Sequence, residues 1–372
     1  MRPRTCLSAA LPLVLLVGAA CSGDDDAVDA GEAGGGRGLL ATVSGALDTL
    51  PDSGEPEERI LWGDFEEAAE LAGIERRPTR PRDDDAPPYI RTVTGGTDED
   101  GEPSPVALVP PEVVHAELAD ELMAFDDDVG WTLLDVDRFV ERTTRPGVIS
   151  VLQGGFDDDD MNEALGLPQE GVWVAGPAED HAEDPNAATA ARPLGESQWL
   201  ARDGDYLTVT RAESDSAAVR RSLAGVADTP TFADDEGLAG VAEALDAQSP
   251  YGAMLERPGP VAGGRVVAPS CLPSPTTAVG TAIADEDGPV FLVALAHATP
   301  EAAAATADAF PAIVSGGAST TGIPLGELVT LDEVATTGDG RVVVARLLPV
   351  GDAPSLLWYQ LLAQGDPVVS SC

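Results

Sequence analysis

The sequence predicts an α+β protein made of two similar sheet-plus-helix subdomains, and three observations carry that expectation. Short apolar runs with a two-residue period recur beside Asp-Gly turns, the pattern of antiparallel hairpins. Segments with acidic starts and glycine stops alternate with them, the pattern of surface helices. The order strand, helix, hairpin, helix then occurs twice along the chain.

The elements follow in order. Ile60-Leu61-Trp62 reads as a strand, and Asp64 caps a helix with acids in its first turn and a stop at Gly73. A second helix is expected over Pro111–Ala124, with Val114, Leu118, Leu122 and Phe125 on one face. Between them, 76–110 is rich in proline and charge and reads as a long surface excursion. Val148–Leu152 is a strand, Asp157–Leu165 a short helix, and Val172–Val174 another strand. Trp199–Val209 folds about Asp203-Gly204 as a hairpin, followed by helices over Ser214–Ala224 and Asp234–Ala247.

Six prolines between Pro250 and Pro275 mark a boundary. Ala278–Ala284 and Val290–His297 form a second hairpin, and Thr299-Pro300-Glu301 starts a helix toward Val314 that must accommodate Pro311. Leu328–Ala335 and Val342–Leu347 make a third hairpin, and Pro354–Ala363 closes as a helix. The first set, from Val148 to Ala224, matches the second, from Val290 to Ala363, in element order. Internal duplication and coincidence both fit that order, because residue identity between the halves is weak. The expected division is a signal peptide at 1–20, a tether at 21–38, an α+β subdomain at 39–249, a Pro-rich connection at 250–277 and a second α+β subdomain at 278–372.

Composition excludes several functions. With 21 Lys+Arg against 65 Asp+Glu, the formal charge is −44, which repels phosphate backbones, so nucleic-acid binding is not expected. The chain contains no lysine, which removes Schiff-base chemistry, the phosphate-loop lysine and Ser–Lys nucleophile pairs.

At the N-terminus, Arg2 and Arg4 precede an apolar run from Leu7 to Ala20 that is too short to cross a bilayer. Val17-Gly18-Ala19-Ala20-Cys21 resembles the lipobox of bacterial lipoproteins, with Gly18 where that family carries a branched residue. The resemblance covers about the first 25 residues and implies cleavage before Cys21 and a diacylglyceryl group on its sulfur. The Asp- and Gly-rich stretch after it composes a flexible tether, with a reach of roughly 20–25 Å. Cys6 would leave with the signal and Cys21 would be acylated, so Cys271 and Cys372 remain as a pair in an oxidising compartment. A disulfide between them would close a loop of about 100 residues, for which the chain-entropy model gives about 4–5 kcal/mol.

Candidate chemical sites are sparse. His115, His181 and His297 form no His-Glu-x-x-His, no Gly-x-Ser-x-Gly elbow is present, and 65 acids make carboxylate pairs unspecific. Asp83–Asp85, Asp126–Asp128 and Asp157–Asp160 lack the spacing of a calcium loop, and the last reads as a charged helix start. Arg76, Arg77, Arg80 and Arg82 form the one basic cluster, either an anion contact or a partner for Asp83–Asp85. The five tryptophans are expected to pack in the core. No metal or cofactor is implied. The sequence thus points to a lipid-anchored protein on the extracytoplasmic face of the cell membrane. It would act as a binding or interaction module, with an apolar small molecule or an envelope protein as partner. The alternative is an envelope hydrolase using buried carboxylates.

Overall fold

The computed structural model describes residues 38–351, apart from 56–57, 76, 98–102, 115–120, 145–146, 259–270, 287, 319–322 and 338, together with 370–371. The described residues fall in one compact unit.

Eleven strands form one antiparallel sheet: β1 (Arg59–Asp64), β2 (Val136–Thr143), β3 (Val148–Gly154), β4 (Val172–Ala175), β5 (Gln198–Asp203), β6 (Tyr206–Thr210), β7 (Gly252–Glu256), β9 (Ala278–Asp285), β10 (Pro289–Ala296), β11 (Val329–Thr337) and β12 (Val342–Pro349). Two further strands, β8 (Cys271–Leu272) and β13 (Ser370–Ser371), pair in parallel away from it. The helices are α1 (Val43–Leu47), α2 (Phe65–Leu71), α3 (Ala86–Val93), α4 (Leu122–Val129), α5 (Asp158–Leu165), α6 (Glu213–Leu223), α7 (Glu236–Asp246), α8 (Pro300–Gly316) and α9 (Leu325–Leu328).

The strand order is β11-β12-β10-β9-β7-β1-β2-β3-β6-β5-β4. Read outward from the β7–β1 pair, one half runs β1-β2-β3-β6-β5 and the other β7-β9-β10-β12-β11. Each half makes two antiparallel steps, crosses by way of a helix, α5 or α8, and returns with a hairpin. The two halves therefore share one sheet instead of forming two separate layers. The Pro-rich stretch at 250–277 contributes β7, a central strand, so the sheet crosses the expected boundary without a break.

Both faces of the sheet are buried. Along β10, Phe291, Val293 and Leu295 enter one core while Leu292, Ala294 and Ala296 enter the other. Residues of α2, α3, α4, α5 and α8 lie in the first core; residues of α1, α6 and α7 lie in the second. Two-sided burial is why Val290–Ala296 reads as an unbroken apolar run instead of an alternating one.

Local chemistry explains the element starts. The Asp64 carboxylate accepts the Glu67 N–H and caps α2, Asp157 accepts the Asp159 N–H before α5, and Thr299 accepts the Ala302 N–H before Pro300. Pro311 lies inside α8, whose helical span continues to Gly316. Of the expected helix at Pro111–Ala124, residues 115–120 lie outside the described residues and Pro111–Val114 is not helical; α4 begins at Leu122 and ends at Val129, capped by Gly130 with a left-handed φ of 73°. The supposed surface excursion contains α3, which buries Tyr89, Ile90 and Val93. Four tryptophans, Trp62, Trp131, Trp173 and Trp199, are buried, and Trp131 packs edge-on against Phe125 and Phe156. Trp358, the helix at Pro354–Ala363 and the N-terminal 37 residues lie outside the described residues. Among the described residues no helix is long and apolar enough to cross a membrane.

Candidate functional site

A cavity of about 800 Å³ forms a groove between α7 and the ends of β10, β11 and β12. Its position follows from the doubled strand order. In the first half, α6 packs on β5 and β6 and sends Val219 into the core beneath α1 and α7. In the second half, the corresponding strands are β11 and β12, and there the same face bears the groove.

Helix α7 comes close to the strands because small residues permit it. A methyl group added at Gly240 would lie 3.3 Å from Val342 Cγ2, and one at Gly280 of β9 would run into Val241 Cγ1 of α7. Gly240, Ala244 and Ala247 face the groove from the helix, and Ala296, Ala298 and Val342 from the strands. The polar lining consists of Asp235, Glu236, Glu243, Thr277, His297, Thr337, Asp339 and Arg341. Two of the carboxylates have other duties. Asp235 accepts the Gly237 and Leu238 N–H groups at the start of α7 and pairs with Arg257, while Asp339 pairs with Arg341. Glu236 meets Arg341 at 3.4 Å.

His297 is 2% exposed. Its Nδ1 lies 3.0 Å from the Pro275 carbonyl, which can only accept, so Nδ1 carries the proton and Nε2 is an acceptor. Nε2 has no partner. Burial lowers the pKa of the ring and favours the neutral form.

A second groove, about 450 Å³, brings together three of the charge clusters noted in the sequence, the basic one and two acidic runs. Arg80 and Arg82 line it with Asp126, Asp135, Asp157 and Asp160. Arg77 is occupied elsewhere: it binds Asp137 at 2.6 Å and the carbonyls of Leu133 and Val136, and lies over the Tyr89 ring. Asp83 accepts the backbone N–H groups of Thr79 and Arg80. Arg80 and Arg82 thus face carboxylates in this groove; Arg76 lies outside the described residues. Burial pushes the Asp135 carboxyl up to about 6 despite two bonds from Thr132.

The third site was not legible in the sequence. Glu141 in β2 is 1% exposed and accepts Ser150 Oγ–H at 2.6 Å and the Glu112 N–H at 2.7 Å. Burial pushes its pKa up to about 7. These contacts tie the segment at Glu112 onto the sheet, and Arg211 adds pairs to Glu112 and Glu196.

A fourth charged cluster is structural. Arg257 at the end of β7 binds Asp52, Glu58 and Asp235, and Arg142 of β2 lies 3.7 Å from Glu58. It ties the segment after α1 to β1, β2, β7 and the start of α7.

Asp135, Glu141 and His297 therefore belong to three separate sites, while Asp126, whose carboxyl burial also pushes up, shares the groove of Asp135. Neither groove has a Ser or Cys among its lining residues, and Ser150 meets a carboxylate with no His beside it. Among the described residues no group of three or more His, Cys, Asp or Glu is placed to hold a metal ion. His181 sits in a loop with a φ of 55°, and His115 lies outside the described residues.

Of the cysteines, Cys21 and Cys372 lie outside the described residues, as does the side chain of Cys271. The backbone of β8 pairs Cys271 with Ser370 and Leu272 with Ser371, so Cys372 follows directly after this pair. No family model, curated protein or solved structure matches the chain.

Proposed function

We propose that this protein is a lipid-anchored binding module of the cell envelope, held on the extracytoplasmic face of the membrane by an acylated Cys21, with the α7 groove as its working surface. The observation that carries the reading is the groove itself. Gly, Ala and Val in its lining leave room for a small ligand's apolar body, and a few polar groups share that lining, the usual division of labour in a small-molecule site. Hydrolysis draws less support: burial raises the Asp126 and Asp135 carboxyls in the second groove, but no His, Ser or Cys lines it, and Glu141 and His297 lie in other sites.

The matched strand orders support descent of the two halves from one duplicated unit. In this reading the first half uses α6 to close its face, and the second keeps that face for a ligand. The β8–β13 pairing supports a disulfide between Cys271 and Cys372 that fastens the end of the chain beside α8.

The test is native mass spectrometry of protein extracted from its own membrane in detergent, with Ala298→Trp alongside. Ala298 lines the groove and is exposed, so the indole fills the space without overpacking a core. The expected result is a small molecule that travels with the wild type and is lost from the variant. A molecule retained equally by both would place binding elsewhere.

A further inference from the structure

A strap of irregular chain, residues 104–114, lies on the face of the sheet that carries α2 and α3. Its first part is fastened by neutral contacts. Ser104 Oγ–H donates to the Thr92 carbonyl, the Leu108 N–H to the Val93 carbonyl at 3.0 Å, and the Ala107 N–H to Tyr251 Oη at 3.3 Å. Leu108 enters a trough that two glycines leave open: a methyl group added at Gly63 would lie 2.7 Å from Leu108 Cδ1, and one at Gly252 2.9 Å from it. The far end of the strap is held by one acid. The Glu112 N–H at 2.7 Å and the Val113 N–H at 3.5 Å donate to the Glu141 carboxylate, which also accepts Ser150 Oγ–H.

Among the described residues Glu141 forms no ion pair. Arg211 engages Glu112 and Glu196, and Arg59, two places along β1 from the residue opposite Glu141, lies beyond ion-pair distance. Arg142, next to Glu141 in β2, turns to the other side of the sheet, where it meets the Pro51 carbonyl and Glu58. Glu112, on the strap itself, adds a like charge. An ionised carboxylate enclosed in this way lowers its cost by taking up a proton or by meeting water. The space beside Glu112 and Val113, lined also by Val148, Glu196 and Arg211, holds about 10 Å³, scarcely room for one water molecule. Full hydration of Glu141 therefore requires the Glu112 end of the strap to lift.

We propose that the strap is a pH-sensitive latch: a proton on Glu141 keeps its Glu112–Val113 end seated, and loss of that proton makes this end open more readily while the Leu108 end stays in place. The direction follows from linkage. With the end lifted, the hydrated Glu141 carboxyl has its ordinary pKa of 4.5; with the end seated, burial pushes it up to about 7, so seating takes up a proton. Seating is then firmest below about pH 4.5 and weakens as the pH rises through about 7. The ratio of the two proton affinities limits the whole change to about 300-fold.

The experiment is residue-resolved amide hydrogen exchange on the full chain from pH 5 to 8, for wild type, Glu141→Gln and Ser150→Ala. Rates are expressed as protection factors, so that the intrinsic pH dependence of exchange cancels. In the wild type the protection of the Glu112 N–H should fall by about 50- to 100-fold across that range, with the Leu108 N–H unchanged. In Glu141→Gln the fall disappears. In Ser150→Ala, which removes a donor that favours the charged form, it extends to higher pH. No fall in the wild type, or an equal fall in Glu141→Gln, overturns the latch. A parallel loss at Leu108 and in the strands of the sheet is unfolding of the whole body and overturns it as well. Should Glu141→Gln not fold, Ser150→Ala decides, and a pH profile identical to that of the wild type overturns the proposal.

Discussion

Replacing Glu141 with Gln should remove a pH dependence that the wild type carries between about pH 4.5 and 7. The Glu141 carboxyl is wholly enclosed, and burial raises its pKa from 4.5 to about 7 even though Ser150 and the Glu112 N–H favour the charged form. A carboxyl whose folded pKa lies above its unfolded value takes up a proton on folding. The stability this proton contributes is therefore complete below about pH 4.5 and is lost as the pH rises through about 7. A shift of this size corresponds to about 3 kcal/mol. Spread over the roughly 280 described residues, with about 2 cal/mol/K of unfolding entropy each, it lowers the melting temperature by roughly 5 °C. Glutamine keeps the acceptor oxygen for the Glu112 N–H and does not titrate. The assay is urea unfolding from pH 4 to 8: the difference between wild type and Glu141→Gln should move by about 3 kcal/mol in favour of the variant as the pH rises. Parallel curves across that range would refute the assignment of a buried, proton-binding Glu141.

Other expectations follow from packing and charge. Arg257→Met leaves Asp52, Glu58 and Asp235 without their shared cation, with the Glu58 carboxylate fully buried; a loss of about 3–5 kcal/mol in urea unfolding is expected, and a loss under 1 kcal/mol would remove the cluster from the account. Gly280→Ala should cost about 1–3 kcal/mol because its methyl group meets Val241 and Leu245 of α7. Gly155→Ala, with nothing within 4 Å, should change stability by less than about 0.5 kcal/mol. If the Cys271–Cys372 bond forms, reduction should lower stability by about 4 kcal/mol in wild type and leave the double Cys→Ala variant unchanged in the same calorimetric scan.

Much of the fold is readable in the sequence where periodicity and caps agree. Thr299-Pro300 starts α8, and Asp203-Gly204 turns β5 into β6. Strand β2 escapes that reading because Asp137, Arg138, Glu141 and Arg142 interrupt its apolar pattern. Distant partners make those charges tolerable: Arg138 pairs with Asp64 and Glu66, and Glu141 binds Ser150. Strand β7 is hidden by the prolines around it, and only its pairing with β1 and β9 identifies it. The helices on both faces could be inferred from Val290–Ala296, which has no polar alternate positions. The groove is another matter. Its lining comes from residues 235–247, 277, 296–298 and 337–342, which are ordinary helix and strand positions until the sheet order sets them side by side. His297 stood at a strand end in the sequence, and only the Pro275 carbonyl reveals which nitrogen is left unpaired.

Intact-mass measurement of the protein taken from its own membrane in detergent tests the central claim, a tethered binding body outside the cytosol, most directly. The account predicts a chain that begins at Cys21 and carries a diacylglyceryl group, with Cys271 and Cys372 resistant to alkylation until a reductant is added. A chain that begins elsewhere without lipid, with both thiols alkylated at once, would contradict it.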